Sequence, residues 1–213
     1  MKNPWFFLLI AALAAIILAA GCASQTGGPS APSGDTSQAG TPAATASPED
    51  VAALALDLSD FPQGYELIFE GEILPPDESP LLGDRDFVGS YSFAASNESG
   101  ELAAGELVEQ IIILYHKPPS RENLDILVKA FYPEFSSWSL SPLPDPGIGD
   151  VSSAYHFSDS STTLSGHLVA FGESEVYCVI MTMRGDGTAD YALTKEIAKK
   201  AAEKIRSAGF TVR

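Results

Sequence analysis

The sequence predicts an α+β domain in which an antiparallel β-sheet is packed with helices, running as one helix followed by two successive β-β-β-α blocks. Three observations predict it. Stretches rich in Val, Ile, Tyr and Phe fall into two groups of three, joined by connections that favour antiparallel pairing. Behind each group stands a capping residue and then apolar residues at helical spacing. Those helices are apolar on one face only, so they must pack against the sheet.

The first helix opens at Ser47-Pro48-Glu49-Asp50, with a serine N-cap, proline at the first helical position and acids in the first turn. Val51, Leu54, Ala55 and Leu58 recur at helical spacing behind it, and Phe61-Pro62-Gln63-Gly64 breaks it. Tyr65 to Leu74 reads as a strand with Leu67, Phe69 and Ile73 on one face, and Pro75, Pro76 and Pro80 mark a loop. Phe87–Ala94 and Leu107–His116 are the next two strands. Ser120 caps a helix whose stripe is Leu124, Leu127, Val128 and Phe131, with Pro133 ending it.

The second block repeats the order. A Pro/Gly-rich connection, Pro142 to Gly149, leads to strands Val151–Phe157, Gly166–Phe171 and Val176–Met183. Gly185-Asp186-Gly187 makes a turn. A long helix then starts near Asp190, buries Leu193, Ile197, Ala201, Ile205 and Ala208, and ends at Gly209.

One pairing follows from this register. A hairpin centred between Ser161 and Thr162 sets His156 opposite His167. Directly opposed residues share a face with Cβ atoms about 5 Å apart, so both imidazoles reach one Zn²⁺ or Cu²⁺. Tyr155 and Phe157 then lie against Leu168 and Gly166 on the core face. Two exposed polar histidines are the alternative.

Residues 1–21 read as an export signal. Lys2 and the initiator amine precede an uncharged run from Trp5 to Ala20, which closes on Gly21-Cys22. That ending resembles a lipobox, which implies lipidation of Cys22 as the new N-terminus and two-chain attachment to the outer face of the membrane. Leucine usually stands three residues before the cysteine; Ala19 holds that place here and Leu18 sits one earlier. An uncleaved signal anchor over residues 5–20 is the alternative, with the same external orientation. Residues 22–46 are the lipidated Cys22 and then, from Ala23 to Ala46, a tether of Ser, Thr, Gly, Pro, Ala and Gln, with Asp35 the only charge. Its roughly 24 residues span about 27 Å on average. Residues 47–213 remain for a single globular domain.

With 28 acidic and 12 basic residues the chain carries −16, and removing residues 1–21, whose only charged side chain is Lys2, leaves −17. Such charge repels nucleic acid and anionic lipid headgroups, so no nucleic-acid partner is expected. Beyond the membrane reached through Cys22, the partner is a small molecule or protein that the sequence does not specify. Once Cys22 bears lipid, Cys178 has no cysteine to pair with, and its apolar surroundings predict a buried, inert thiol.

Two short motifs carry a family resemblance. Leu58-Ser59-Asp60-Phe61-Pro62-Gln63-Gly64-Tyr65 resembles the leucine–x–aspartate–leucine–proline–x–glycine–tryptophan opening of many exported prokaryotic lipoproteins, with Phe61 and Tyr65 as departures. Gly149-Asp150-Val151-Ser152-Ser153-Ala154 is similar to their glycine–aspartate–x–serine–x–alanine stretch. The strand Glu175–Met183 and the helix around Ala198 and Ala202 complete the pattern. The resemblance covers nearly all of Ser47–Gly209. It implies a PsbP-like α/β/α sandwich and a noncatalytic surface module, and it supplies no active-site residues.

Nothing in the chain spells a CxxC pair, an HExxH helix, a Walker loop or a nucleophile elbow, so no cofactor and no enzyme activity are expected. Gly147-x-Gly149 precedes a strand rather than a helix, which removes the dinucleotide reading. Asp84, Asp86, Asp186 and Asp190 lack EF-hand spacing, and Arg184-Gly185-Asp186 fits an ordinary turn. Asn97-Glu98-Ser99 is a glycosylation sequon between two strands, so Asn97 is a candidate acceptor. The chain therefore reads as a membrane-tethered binding or accessory module of the cell surface. An envelope structural or protein-interaction role is the alternative. An exported hydrolase would need acids such as Glu66, Glu70 and Glu109 to converge in one cleft.

Overall fold

In the computed structural model, residues 48–73, 86–97, 105–132 and 138–209 are described. They contain helices α1 (Pro48–Ala53), α2 (Arg121–Phe131) and α3 (Tyr191–Ser207). The strands are β1 (Glu66–Glu72), β2 (Phe87–Ser96), β3 (Glu106–Tyr115), β4 (Ser139–Leu143), β5 (Val151–Ser158), β6 (Ser165–Glu173) and β7 (Val176–Arg184). All seven form one antiparallel sheet in the order β1-β2-β3-β7-β6-β5-β4. Two meanders thus meet at β3 and β7, the last strand of each. The α+β reading of the sequence holds at this level. The export signal, Cys22, the tether, Ser47, the loop prolines, Glu98 and Ser99 lie outside the described residues.

Helices cover both faces. On one, α1 lies over β2 and α3 lies over β6 and β7. This layer joins Leu54, Phe93, Ile112, Cys178 and Phe171 to Ile197, Ala198, Ala201 and Ile205. On the other face α2 packs over β5 and β6, burying Leu124, Leu127 and Val128. Central strands covered on both faces read as continuous apolar runs, and β7 is buried from Val176 to Met183.

The capping chemistry runs close to the sequence pattern. Ser120 accepts the Asn123 backbone N–H at 3.2 Å to start α2, and Asp190 accepts that of Ala192 at 2.8 Å to start α3. Gly209 takes a left-handed φ of 64° after the last turn of α3, where a side chain would be strained.

The structure corrects four local expectations. A strand, β4, occupies Ser139–Leu143, where Pro142 was read as the start of a connection. It is an edge strand, the place in a sheet where proline is tolerated. The first helix stops at Ala53, and Leu58 belongs instead to a separate 3₁₀ turn, 41 % exposed. Asp57 and Asp60 close a capping box on that turn, and the Leu56 N–H is diverted to the side chain of Gln110. In β1 a bulge between Leu67 and Phe69 sets them opposite Ala95 and Ala94, so they point to opposite faces. Ala208 is exposed, because α3 has already ended at Ser207.

Candidate functional site: a histidine pair under the last helix

The hairpin β5–β6 pairs His156 with His167, Tyr155 with Leu168 and Phe157 with Gly166. His167 continues the row onto Thr182 of β7, which pairs with Val108 of β3. Alternation along the strands puts this row on the α1/α3 face. There the Thr182 and Thr194 hydroxyls meet at 2.6 Å, joining β7 to α3. One turn earlier, the Tyr191 ring lies 5.4 Å from that of His167 at 45°. The two imidazole centres are 5.2 Å apart at 59°.

Both histidines are half-buried, yet the pair is not satisfied internally. His167 Nδ1 and Tyr191 Oη are buried without a hydrogen-bond partner. Desolvation lowers the His167 pKa, the neighbouring His156 lowers it further, and Asp190 opposes both. At neutral pH His167 is therefore held toward the neutral form, with a ring nitrogen able to accept. Burial likewise raises the Tyr191 pKa, keeping its phenol protonated.

A second polar cluster stands at the β3–β7 end of the same face. Glu106 is only 5 % exposed and accepts Tyr65 Oη at 3.1 Å on Oε2, while its Oε1 has no partner. Burial raises the Glu106 pKa against the lowering effect of that bond. Burial also raises the Tyr65 pKa, and Glu106 adds to it. Across the ladder from Glu106, Arg184 forks onto Asp186 at 3.1 and 2.8 Å, and this pairing holds Asp186 far below the ordinary carboxylate value. The Arg-Gly-Asp tripeptide is thus engaged within its own turn.

Other singled-out residues have structural work. Asp145 accepts the Gly147 backbone N–H at 2.9 Å and the Ser152 hydroxyl at 2.6 Å, and it pairs with Arg121 at 2.6 Å. Ser152 in turn accepts the Ile148 N–H, and Asp150 accepts that of Ser174. The glycine–aspartate–serine stretch therefore shapes the entry to β5. Asn97 Oδ1 accepts the Glu106 N–H at 2.8 Å, beside the end of β2. Cys178 is fully buried, and desolvation pushes its thiol up to about 12, with Gln110 Nε2 at 3.5 Å.

The acids of the hydrolase reading do not gather. Glu66 lies opposite Ser96 and Glu70 opposite Phe93, which puts them on opposite faces of β1. Glu109 is buried, accepting from Tyr132 Oη at 3.2 Å and Ser92 Oγ at 3.4 Å. Among the described residues no three or more His, Cys, Asp or Glu side chains assemble a metal centre, and no helix is long and apolar enough to cross a membrane. The sequence pairs His156 with His167 but gives no sign of Tyr191, which reaches them only through the docking of α3.

These features define a mixed α/β domain: seven antiparallel strands, helices on both faces, and a half-buried histidine pair beneath the last helix. The extracellular domain of PknH from Mycobacterium tuberculosis has a similar fold, with a TM-score of 0.51 at 9 % identity over 77 % of this chain and 98 % of that one. At that identity the likeness concerns the fold alone. No protein-family model and no curated protein matches the sequence.

Proposed function

We propose that the chain is a lipid-anchored protein of the cell envelope, whose PsbP-like sandwich works outside the cytoplasmic membrane as a noncatalytic binding or accessory module. The observation that carries this reading is the N-terminal order: Lys2, the apolar run to Ala20, Gly21-Cys22, and a tether with one charge before the domain. The fold shared with an extracellular domain supports it. The engagement of Asp145, Ser152, Arg184 and Asp186 in turns, and the inert environment of Cys178, support a binding rather than a catalytic role.

The experiment is intact-mass measurement of the chain isolated from membranes, beside a Cys22→Ser variant. The native chain is expected to lack residues 1–21 and to carry lipid on Cys22, and the variant to lose that lipid. An unlipidated native chain retaining residues 1–21 and still in the membrane fraction would instead establish a signal anchor.

A protein-interaction role is the second reading, and one observation favours it. The edge strand β1 exposes Leu67 at 43 % and Ile68 at 49 %. Photo-crosslinking from position 68 in intact cells tests it, and the absence of any adduct counts against it.

A further inference from the structure

The geometry points to a divalent transition-metal site at His156 and His167, with Zn²⁺ or Cu²⁺ as the ion and Tyr191 as the partner of a metal-bound water. This inference stands apart from the membrane attachment proposed above.

Ring separation is the first argument. A Zn–N bond is about 2.0–2.1 Å, and an imidazole centre lies roughly 1.2 Å behind its nitrogen, so two rings at a tetrahedral angle have centres about 5.2 Å apart. The observed centres are 5.2 Å apart. The rings are also tilted by 59° rather than stacked flat, so their planes converge instead of lying parallel.

Unmet polar capacity is the second. Leaving a buried nitrogen without a partner is unfavourable, so such atoms in folded proteins call for an explanation. His167 Nδ1 is one, and Tyr191 Oη, on the neighbouring ring, is another. One hydrated ion answers both: the imidazole nitrogen binds the metal and the phenol hydrogen-bonds the water on it.

The surrounding strands fix the pair for this purpose. His156 and His167 sit directly opposed in a regular ladder, and the same row is tied to α3 by the Thr182–Thr194 contact. Two protein nitrogens leave the remaining coordination positions to water or to a ligand from outside, which suits binding more than structural closure. Imidazole ligands fit Zn²⁺ and Cu²⁺ and disfavour Mg²⁺ and Ca²⁺, which take oxygen donors.

The test is calorimetric titration of the full-length chain in detergent with ZnCl₂ and CuCl₂, with electron paramagnetic resonance of the copper form. One ion per chain is expected, with nitrogen hyperfine structure from two imidazoles. His156→Ala and His167→Ala should each weaken binding by at least about tenfold, while His116→Ala, an exposed histidine outside the pair, should leave it unchanged. Tyr191→Phe should keep the two-nitrogen signal and shift the spectrum of the bound ion. No saturable binding by the parent chain overturns the proposal, as does affinity that survives His156→Ala. His156 is half-exposed on β5, so that variant decides the matter even if His167→Ala does not fold.

Discussion

Gln110, wholly buried in β3, accepts the backbone N–H of Leu56 through its side-chain oxygen at 2.7 Å. The contact spans 54 positions of sequence. It fastens the chain between α1 and the following 3₁₀ turn to the middle of the sheet, at the point where the helix gives up its own ladder. A buried amide in this position satisfies a donor that would otherwise be stranded.

Replacing Gln110 with Leu should therefore destabilise the fold by about 1–3 kcal/mol, the cost of an unsatisfied buried N–H. Urea unfolding measures it. A Gln110→Leu chain with undiminished stability would mean that the Leu56 N–H finds another acceptor.

Glu106 gives a pH dependence of definite sign. Its folded-state pKa is raised above the ordinary 4.5 by burial, so the folded state holds the proton more tightly than the unfolded one. The group's favourable contribution is then complete below the ordinary value and is lost as pH rises through the raised one. Glu106→Gln should stabilise the domain at about pH 7, and the difference should shrink toward about pH 4. Destabilisation at about pH 7 that shrinks toward about pH 4 would instead show that the carboxylate is needed in its charged form.

Gly166 is a position without room. A Cβ added there would stand 2.2 Å from the Thr182 carbonyl oxygen and 2.3 Å from Phe157 Cζ. Phe157 is itself wholly buried and stacks on Trp138 at 5.5 Å, so its ring has nowhere to retreat. Gly166→Ala should cost about 1–3 kcal/mol through this overpacking, read as a lower thermal midpoint. An unchanged midpoint would show that β6 shifts away from both Phe157 of β5 and Thr182 of β7 at little cost.

The sequence makes much of this architecture legible, for local reasons. Ser120 and Asp190 announce their helices because capping is read from the few residues that follow. The opposition of His156 and His167 is also legible, since a period of two and one turn position fix every pair in a hairpin. What stays hidden depends on distant chain. Ser139–Leu143 has little β-branched or aromatic character and becomes a strand only because the edge of β5 awaits a partner. The bulge in β1 turns Leu67 away from Phe69 without any glycine to mark it. Tyr191 reads as the first residue of a helix, and its place beside His167 is decided by how α3 docks. Gln110, in a run of aliphatic residues, looks like an interruption until Leu56 is brought to it.

The meeting of β3 and β7 has a temporal consequence. During synthesis the first meander, β1 to β3, is complete while the second, β4 to β7, is still unmade, and the edge of β3 from Glu106 to Leu114 waits for residues 176–184. That edge is apolar and hydrogen-bond hungry, so it is the segment most open to wrong pairing in the interval. Closure comes from the last strand made, and α3 follows immediately to cover it. The domain thus cannot finish folding from its N-terminal end: a chain threaded from one compartment to another would stay unfinished until β7 has crossed.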